Sequence, residues 1–447
     1  MAAGEKLGIL AGGGGVPIEV AEQVTRTGQP FHVIALRGFA DQRVEHFPHT
    51  FVGLGQLGAL LATLERERCK ELLIIGSLAR PDLTSLRFDL GALRHWRAIY
   101  SLTRGGDDRL LRRIVRFFEG QGLSVVGVRD IAPELVANAG LIAGPTPRAP
   151  AHAAIAAGLS ALTQLAGLDI GQAAIATPNG LCACEDGAGT ANLLARYAQR
   201  AQRAADAVVI KCAKPGQELR VDMPTIGPET LEQMARAGLA TLAVSSGSTM
   251  IADRPGLRAR AETLGISVIG LGDGAIPSPR PGQRVPAPAA AVPVDDSAVA
   301  EATVRVLAGH LEPAIGNWGA VVREGHVQAI EMGAEDLDVW TARVERLPRG
   351  WGLSQLLPWE TSGRFAFAVR GTGSGGLALE RDSMRRLAKL LKRRRFSGVT
   401  LMSDRASKVL AAGDTSGTLA QLRDSLRLAG LDVSEADLNG SGDHGCT

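Results

Sequence analysis

Residues 211 to 228 read Lys-Cys-Ala-Lys-Pro-Gly-Gln-Glu-Leu-Arg-Val-Asp-Met-Pro-Thr-Ile-Gly-Pro. Two lysines, an arginine and the carboxylate of Asp222 crowd a stretch broken by proline and glycine. They follow a short apolar run, 207–210, that has the composition of a buried strand. Packing seldom concentrates charge at a strand exit, whereas a phosphate-bearing ligand requires it. Lys214 and Arg220 can neutralise phosphate charge. Asp222 can act as a general base on water. It can equally hold Mg2+, which takes one or two carboxylates together with substrate phosphate oxygens. The plainer reading is that Asp222 pairs with Arg220 or caps the turn before Pro224.

A second anion-binding candidate is the run Gly12, Gly13, Gly14 and Gly15 between a strand and a helix. Backbone without side chains approaches a ligand closely, and the next helix offers free N–H groups to phosphate. The strict dinucleotide fingerprint is absent, and Arg37-Gly38-Phe39 stands where an acid would follow the second strand. A tight strand-to-helix turn remains the alternative. Arg80 lies in Gly-Ser-Leu-Ala-Arg-Pro-Asp (76–82) and Arg104 in Arg-Gly-Gly-Asp-Asp (104–108), both at expected strand or helix ends. Asp107 and Asp108 suit a helix N-terminus, while Arg104 and the paired glycines suit a cleft.

These segments need strands and helices to carry them. Apolar runs 7–10, 31–36, 72–75 and 124–128 predict buried strands. The patterns at 18–27 and 107–120 predict helices between them. Such alternation predicts an α/β fold with a parallel, Rossmann-like sheet over residues 1–145. A Pro- and Ala-rich stretch, 144–153, separates a second α/β domain over 151–271. That domain holds a helix at 153–165, strands at 173–177, 241–245 and 266–270, and a helix at 256–264. Residues 272–296 have the composition of an extended linker. Residues 297–433 predict an appended α/β domain, and 434–447 a polar tail.

The appended region reads as a degenerate repeat of the second domain. Ile170-Gly171-Gln172 matches Ile315-Gly316-Asn317, Gly180 matches Gly325, Glu185 matches Glu331 and Arg196 matches Arg343. The counterpart of the Asp222 segment, 365–380, has neither the acid nor the lysines, so this copy is expected to be structural.

Bulk properties exclude several classes. The net charge is +3 over 447 residues, which gives no global field for nucleic acid. Mean hydropathy is +0.07, and no apolar run approaches the roughly 18 residues of a membrane span. The first residues run directly into a strand, so no signal peptide is expected. The five cysteines are scattered, as reduced thiols in a cytoplasm would be. Met384 to Phe396 is a basic amphipathic helix, read as a solvated face in preference to a membrane-grazing one.

Residues 7 to about 271 resemble the LpxI family, bacterial UDP-2,3-diacylglucosamine pyrophosphatases of lipid A synthesis. The resemblance rests on Leu-Gly-Ile-Leu-Ala-Gly-Gly-Gly-Gly-Val-Pro (7–17), Gly-Gln-Leu-Gly (55–58), Arg-Pro-Asp-Leu (80–83), Gly-Gly-Asp-Asp (105–108) and Pro-Glu-Leu (133–135). Above all it rests on Lys-Pro-Gly-Gln-Glu-Leu-Arg-Val-Asp-Met-Pro-Thr-Ile-Gly-Pro (214–228). It implies substrate held between two α/β domains and a homodimer. It also implies Mg2+-dependent hydrolysis to UMP and 2,3-diacylglucosamine 1-phosphate. The family's catalytic aspartate falls on Asp222, which is also the expected metal ligand. The expected substrate-binding set is Gly12, Gly13, Gly14, Gly15, Arg80, Arg104, Lys214, Gln217, Arg220, Thr225 and Thr190. A lipid substrate implies a cytoplasmic enzyme in peripheral contact with the inner membrane.

The chain departs from the family twice. Ala188-Gly189-Thr190-Ala191 stands where the family usually shows Glu-Gly-Thr-Asp, and residues 272–447 are extra. Glu335, Asp336 and Asp338 are candidates to replace the missing acids. The alternative function is a catalytically impaired relative that binds a UDP-lipid and regulates the pathway. A nicotinamide-dependent oxidoreductase is a third reading, supported by the glycine loop alone.

Overall fold

The computed structural model describes residues 5–78, 89, 91, 107–165, 171–200, 203–204, 206–214, 216–272, 296–311, 317–323, 326–332, 337–345, 363–369, 381–394, 396–403 and 416–437. Apolar strands β1 (Leu7–Ala11), β2 (Phe31–Leu36), β3 (His49–Val52), β4 (Glu71–Ile75) and β5 (Ser124–Val126) form a parallel sheet. Its order is β3-β2-β1-β4-β5, which matches five strands of the doubly wound nucleotide-binding arrangement. Every residue of β1 is buried, as expected for a strand covered on both faces. One face sets Leu7, Ile9 and Ala11 against Ile18, Val20 and Val24 of helix Val16–Thr27. The other sets Leu10, Ile34 and Leu72 against Leu60 and Leu64 of helix Leu57–Arg66, and Val115 and Phe118 of helix Asp107–Glu119. Helix Leu57–Arg66 carries the helical period in Leu57, Leu60, Leu61 and Leu64, whereas β3 is only four residues long.

Two compact units emerge, and they draw on discontinuous sequence. Unit one combines residues 1–146, 212–232 and 244–275; unit two combines 147–211, 233–243 and 276–447. Besides the parallel sheet, unit one holds β6 (Gly140–Ala143) antiparallel to β13 (Ser267–Leu271), and β10 (Thr225–Ile226) parallel to β12 (Met250–Ile251). Among the expected elements, strand Thr241–Ser245 straddles the division.

In unit two, helix Pro150–Leu165 precedes the antiparallel hairpin β7 (Ala173–Thr177) and β8 (Gly180–Cys184). Helix Gly189–Ala198 follows, then β9 (Val208–Lys211), antiparallel to β7. This order recurs. Helix Asp296–Ala308 precedes the hairpin β14 (Asn317–Arg323) and β15 (His326–Met332). Helix Leu337–Glu345 follows, then β16 (Gly363–Val369), antiparallel to β14. The repeat inferred from sparse matches is thus a repeat of topology. The appended copy continues with β17 (Phe396–Ser403) and β18 (Asp432–Asp437), both parallel, in the order β15-β14-β16-β17-β18.

Two expectations need correction. The first helix of unit two begins at Pro150, inside the expected linker, because proline is favoured in a first helical turn. The polar tail begins after Asp437, because the sequence Ser-Glu-Ala-Asp is held as strand by its ladder to β17. The Thr400 and Ser434 hydroxyls meet there at 3.0 Å. The basic helix Arg381–Arg393 buries Met384, Leu387, Leu390 and Leu391 in the appended core, in keeping with the expected solvated basic face. Among the described residues, no helix is long and apolar enough to cross a membrane.

Candidate active site

The segment 212–232 leaves β9 and joins unit one. Val221 packs against the sheet face bearing Leu10 and Ile34, while Met223 packs against the face bearing Ile9 and Val33. Asp222 sits between these two anchors. Arg220 Nη1 lies 3.5 Å from the Val125 carbonyl, and Gly127 is tight against the Arg220 Cα. The loop therefore stands at the carboxyl end of β5, on the sheet edge where doubly wound folds gather ligands.

Local bonds shape the loop around Gln217. Its Nε2 donates to Asp222 Oδ2 at 2.6 Å and to the Asp222 carbonyl at 2.9 Å. Its Oε1 accepts from the Lys214 N–H at 2.9 Å, and the Asp222 N–H donates to the Glu218 carbonyl at 3.0 Å. Arg112 Nη2 donates to the Gly216 carbonyl at 2.7 Å. Thr225 is fixed by the β10–β12 pairing and donates to the Met223 carbonyl at 3.2 Å. Further along, the Ala213 N–H donates to Ser245 Oγ at 3.3 Å, and Ser245 in turn meets Thr249 Oγ1 at 3.0 Å.

Arg220 is held by carboxylates. It grips Glu218 with two bonds, at 2.7 and 2.8 Å, and reaches Glu119 at 2.7 Å. As found, its guanidinium ties the loop to helix Asp107–Glu119. Those hydrogen bonds hold Glu218 below its ordinary carboxyl range. A lowered folded pKa means the stabilisation is present above the ordinary value of 4.5 and is lost as pH falls through the lower folded value. Arg220→Ala should therefore lower urea stability at pH 7, with the difference from wild type shrinking below about pH 4. Paired urea titrations at the two pH values check this.

The glycine loop lies at the carboxyl end of β1, two strands from β5. Its first two N–H groups are already engaged: Gly12 donates to Ile75 at 2.8 Å and Gly13 to Ser77 at 2.7 Å. A Cβ at Gly12 would sit 2.7 Å from the Ser77 carbonyl, so only glycine allows this closure. The outward part is Gly14, with φ of 92°, and Gly15, the N-cap of helix Val16–Thr27. Arg43 Nη2 lies 3.6 Å from where a Gly15 Cβ would stand. Its main partner is Asp41, at 2.8 Å. Glu19, in the first helical turn, accepts the Asp253 N–H, and burial raises its pKa.

Sequence reading passed over Arg43, Glu119, Glu218 and Ser245. Glu218 lay within the motif but was overshadowed by Asp222; the others carry no local signal. Arg80 and Arg104 lie outside the described residues, as do Glu335 and Asp336. Asp338 is described, and its exposed carboxylate accepts from Arg386 at 2.7 Å. Thr190 belongs to unit two, where its hydroxyl donates to Glu185 Oε1 at 2.7 Å. Among the described residues there is no group of three or more His, Cys, Asp or Glu side chains arranged to hold a metal.

Among the described residues, Cys69, Cys182, Cys184 and Cys212 carry buried thiols that form no disulfide. Burial pushes the Cys212 thiol up to about 12 and raises Cys69 and Cys184 as well. Native protein should react with thiol reagents at these four positions only after unfolding. Peptide mapping after alkylation with and without denaturant measures it.

Residues 6–135 match the LpxI N-terminal domain, and residues 138–269 match the LpxI C-terminal domain. The chain is 36% identical over 274 residues to a UDP-2,3-diacylglucosamine pyrophosphatase LpxI from Caulobacter vibrioides. The match covers 60% of this chain and 97% of that protein. The chain belongs to the LpxI family. Both LpxI domains contribute to the loop just described: Arg112 and Glu119 come from the first, and residues 212–227 from the second. The appended region, 296–437, lies beyond the matched residues.

Proposed function

We propose that this chain hydrolyses the pyrophosphate of UDP-2,3-diacylglucosamine, giving UMP and 2,3-diacylglucosamine 1-phosphate. The observation that carries the reading is Asp222, oriented by Gln217 at the carboxyl edge of a parallel sheet that also presents the glycine loop. Asp222 is the carboxylate that would hold Mg2+, an ion that needs only one or two protein carboxylates beside phosphate oxygens. Bound Mg2+ supplies neutralisation of charge on the pyrophosphate. Lys214 adds positive charge, and Gly14, Gly15 and the helix beginning at Val16 face the nucleotide phosphates. Gln217 fixes the Asp222 carboxylate, and Arg220 fixes the loop. The nucleotide-binding, Rossmann-like role of the first domain belongs to this proposal. So do cytoplasmic placement and peripheral contact with the inner membrane through the acyl chains.

The test is UMP release from UDP-2,3-diacylglucosamine with Mg2+, on wild type and Asp222→Ala. A second reading is favoured by Ala188 and Ala191, which stand where the family shows acids: a UDP-lipid-binding regulator. Retained binding without UMP release would establish that reading in place of the first.

A further inference from the structure

Beyond the reaction, the two copies in unit two meet each other in a reciprocal manner. β8 and β15 are both outer strands of their hairpins, and they occupy corresponding positions. They face one another antiparallel. Arg200 bridges the carbonyls of Cys182 and Met332, at 3.0 and 2.7 Å. Arg196 bridges those of Cys184 and Ile330, at 3.3 and 2.8 Å. Gly187 faces the Gln328 carbonyl.

The copies begin at residues 150 and 296, an offset of 146 (296 − 150). At that offset Cys184 corresponds to Ile330, so this pair is a position facing its own counterpart. Cys182 faces Met332, and two residues beyond the centre on the other side, residue 186 faces the Gln328 region. Asp186 Oδ2 accepts the Ile330 N–H at 3.1 Å. The leading helices, Pro150–Leu165 and Asp296–Ala308, also correspond, and they pack on each other.

The ion pairs also run both ways between the copies, shifted by one residue from exact counterparts. Arg196 and Arg343 lie on corresponding helices at an offset of 147 (343 − 196), one residue from the strand register. Arg196 donates to Glu331 of the appended copy at 3.0 Å, and Arg343 donates to Asp186 of the first copy. Glu331 corresponds to Glu185, one residue from Asp186. Asn192 Oδ1 accepts from both arginines, at 3.1 Å each. Contact of i with j matched by contact of j with i defines an isologous, two-fold interface.

We infer that the appended domain stands in for a second copy of residues 147–211, so that the chain carries both halves of a two-fold pair. The surface formed by β8, Asp186, Arg196 and Arg200 is self-complementary. Its intended occupant in this chain is the degenerate copy; its alternative occupant is the same surface of another molecule. This does not depend on the catalytic proposal. It replaces the homodimer expected from the resemblance with an internal pairing.

Sedimentation velocity on the full chain tests the inference. Wild type should run as a single 46.7 kDa species across micromolar concentrations. Glu331→Arg with Arg343→Glu reverses both charges on the appended copy and leaves the first copy's surface intact. This double variant should form a discrete dimer whose fraction rises with concentration, whether its appended domain stays folded or loosens. Adding Arg196→Glu and Asp186→Arg restores opposite charges and should return the monomer. A wild-type dimer would overturn the inference. So would a double variant that remains monomeric or aggregates without a discrete dimer. Hydrogen exchange at residues 180–186, unprotected in the double variant at low concentration and protected in its dimer, identifies the surface.

Discussion

Asp222→Ala is expected to lower UMP release about a thousandfold with little change in the melting temperature. The separation of the two effects follows from how the loop is held. The Asp222 backbone N–H bonds to the Glu218 carbonyl, and Val221 and Met223 fill opposite sheet faces, none of which depends on the carboxylate. The side chain is only half-buried, and its removal opens no core cavity. Gln217→Glu sharpens the argument. It would set a second carboxylate where an amide now stands 2.6 Å from Asp222 Oδ2. A like charge favours the protonated form, so the acid limb of the kcat/KM profile should move to higher pH. Gln217→Ala should lower kcat without that displacement. A profile unmoved in Gln217→Glu would remove Gln217 as the group that positions Asp222.

The largest effect on stability is expected from Asp186→Ala, about 3–5 kcal/mol. The Asp186 side chain is fully buried, with Arg196 and Arg343 converging on Oδ2 and the Ala188 N–H on Oδ1. Removing it leaves two guanidinium groups, each largely shielded from water, with too little negative charge between them. Burial alone pushes the Arg196 pKa down, but Glu331 and Asp186 together outweigh it and raise the value. Arg343 Nε already lacks a hydrogen-bond partner, and the guanidinium would keep the neutral Asn192 Oδ1, not a charge, as a partner. Guanidinium chloride titration should show the loss, and Asp186→Asn, which keeps the shape and part of the bonding, should show less. Equal and small losses in both variants would contradict this account.

The loop stood out in sequence because Lys214, Pro215, Asp222 and Pro224 interrupt an otherwise apolar αβ pattern. The parallel sheet was legible because β1, β2 and β4 are short apolar runs set at regular spacing. What could not be read was the loop's destination. Val221 and Met223 look like any two apolar residues flanking an acid, and nothing local says that they seat on the two faces of a sheet formed by residues 7–126. The partners Arg112 and Glu119 lie about a hundred positions away in sequence, on a helix whose basic face resembles an ordinary solvated one. The carboxylates that hold Arg220 were only partly visible in the same way: Glu218 is two residues away, whereas Glu119 is 101 positions away. The repeat was half legible, since its motifs had drifted while its order of elements had not.

The seating of residues 212–232 in unit one also fixes a sequence of events during synthesis. The parallel sheet can close once residue 126 is available, with the glycine loop already in place. The acid cannot join it until a further hundred or so residues have emerged, and β10 must then wait for β12 at Met250 before its own pairing is complete. Contacts separated by 101 and 104 positions carry a large loop-closure cost and form late. A nascent or refolding chain should therefore regain helix and sheet signals before it regains turnover. The interval between the two would be the lifetime of a parallel-sheet scaffold that lacks its acid.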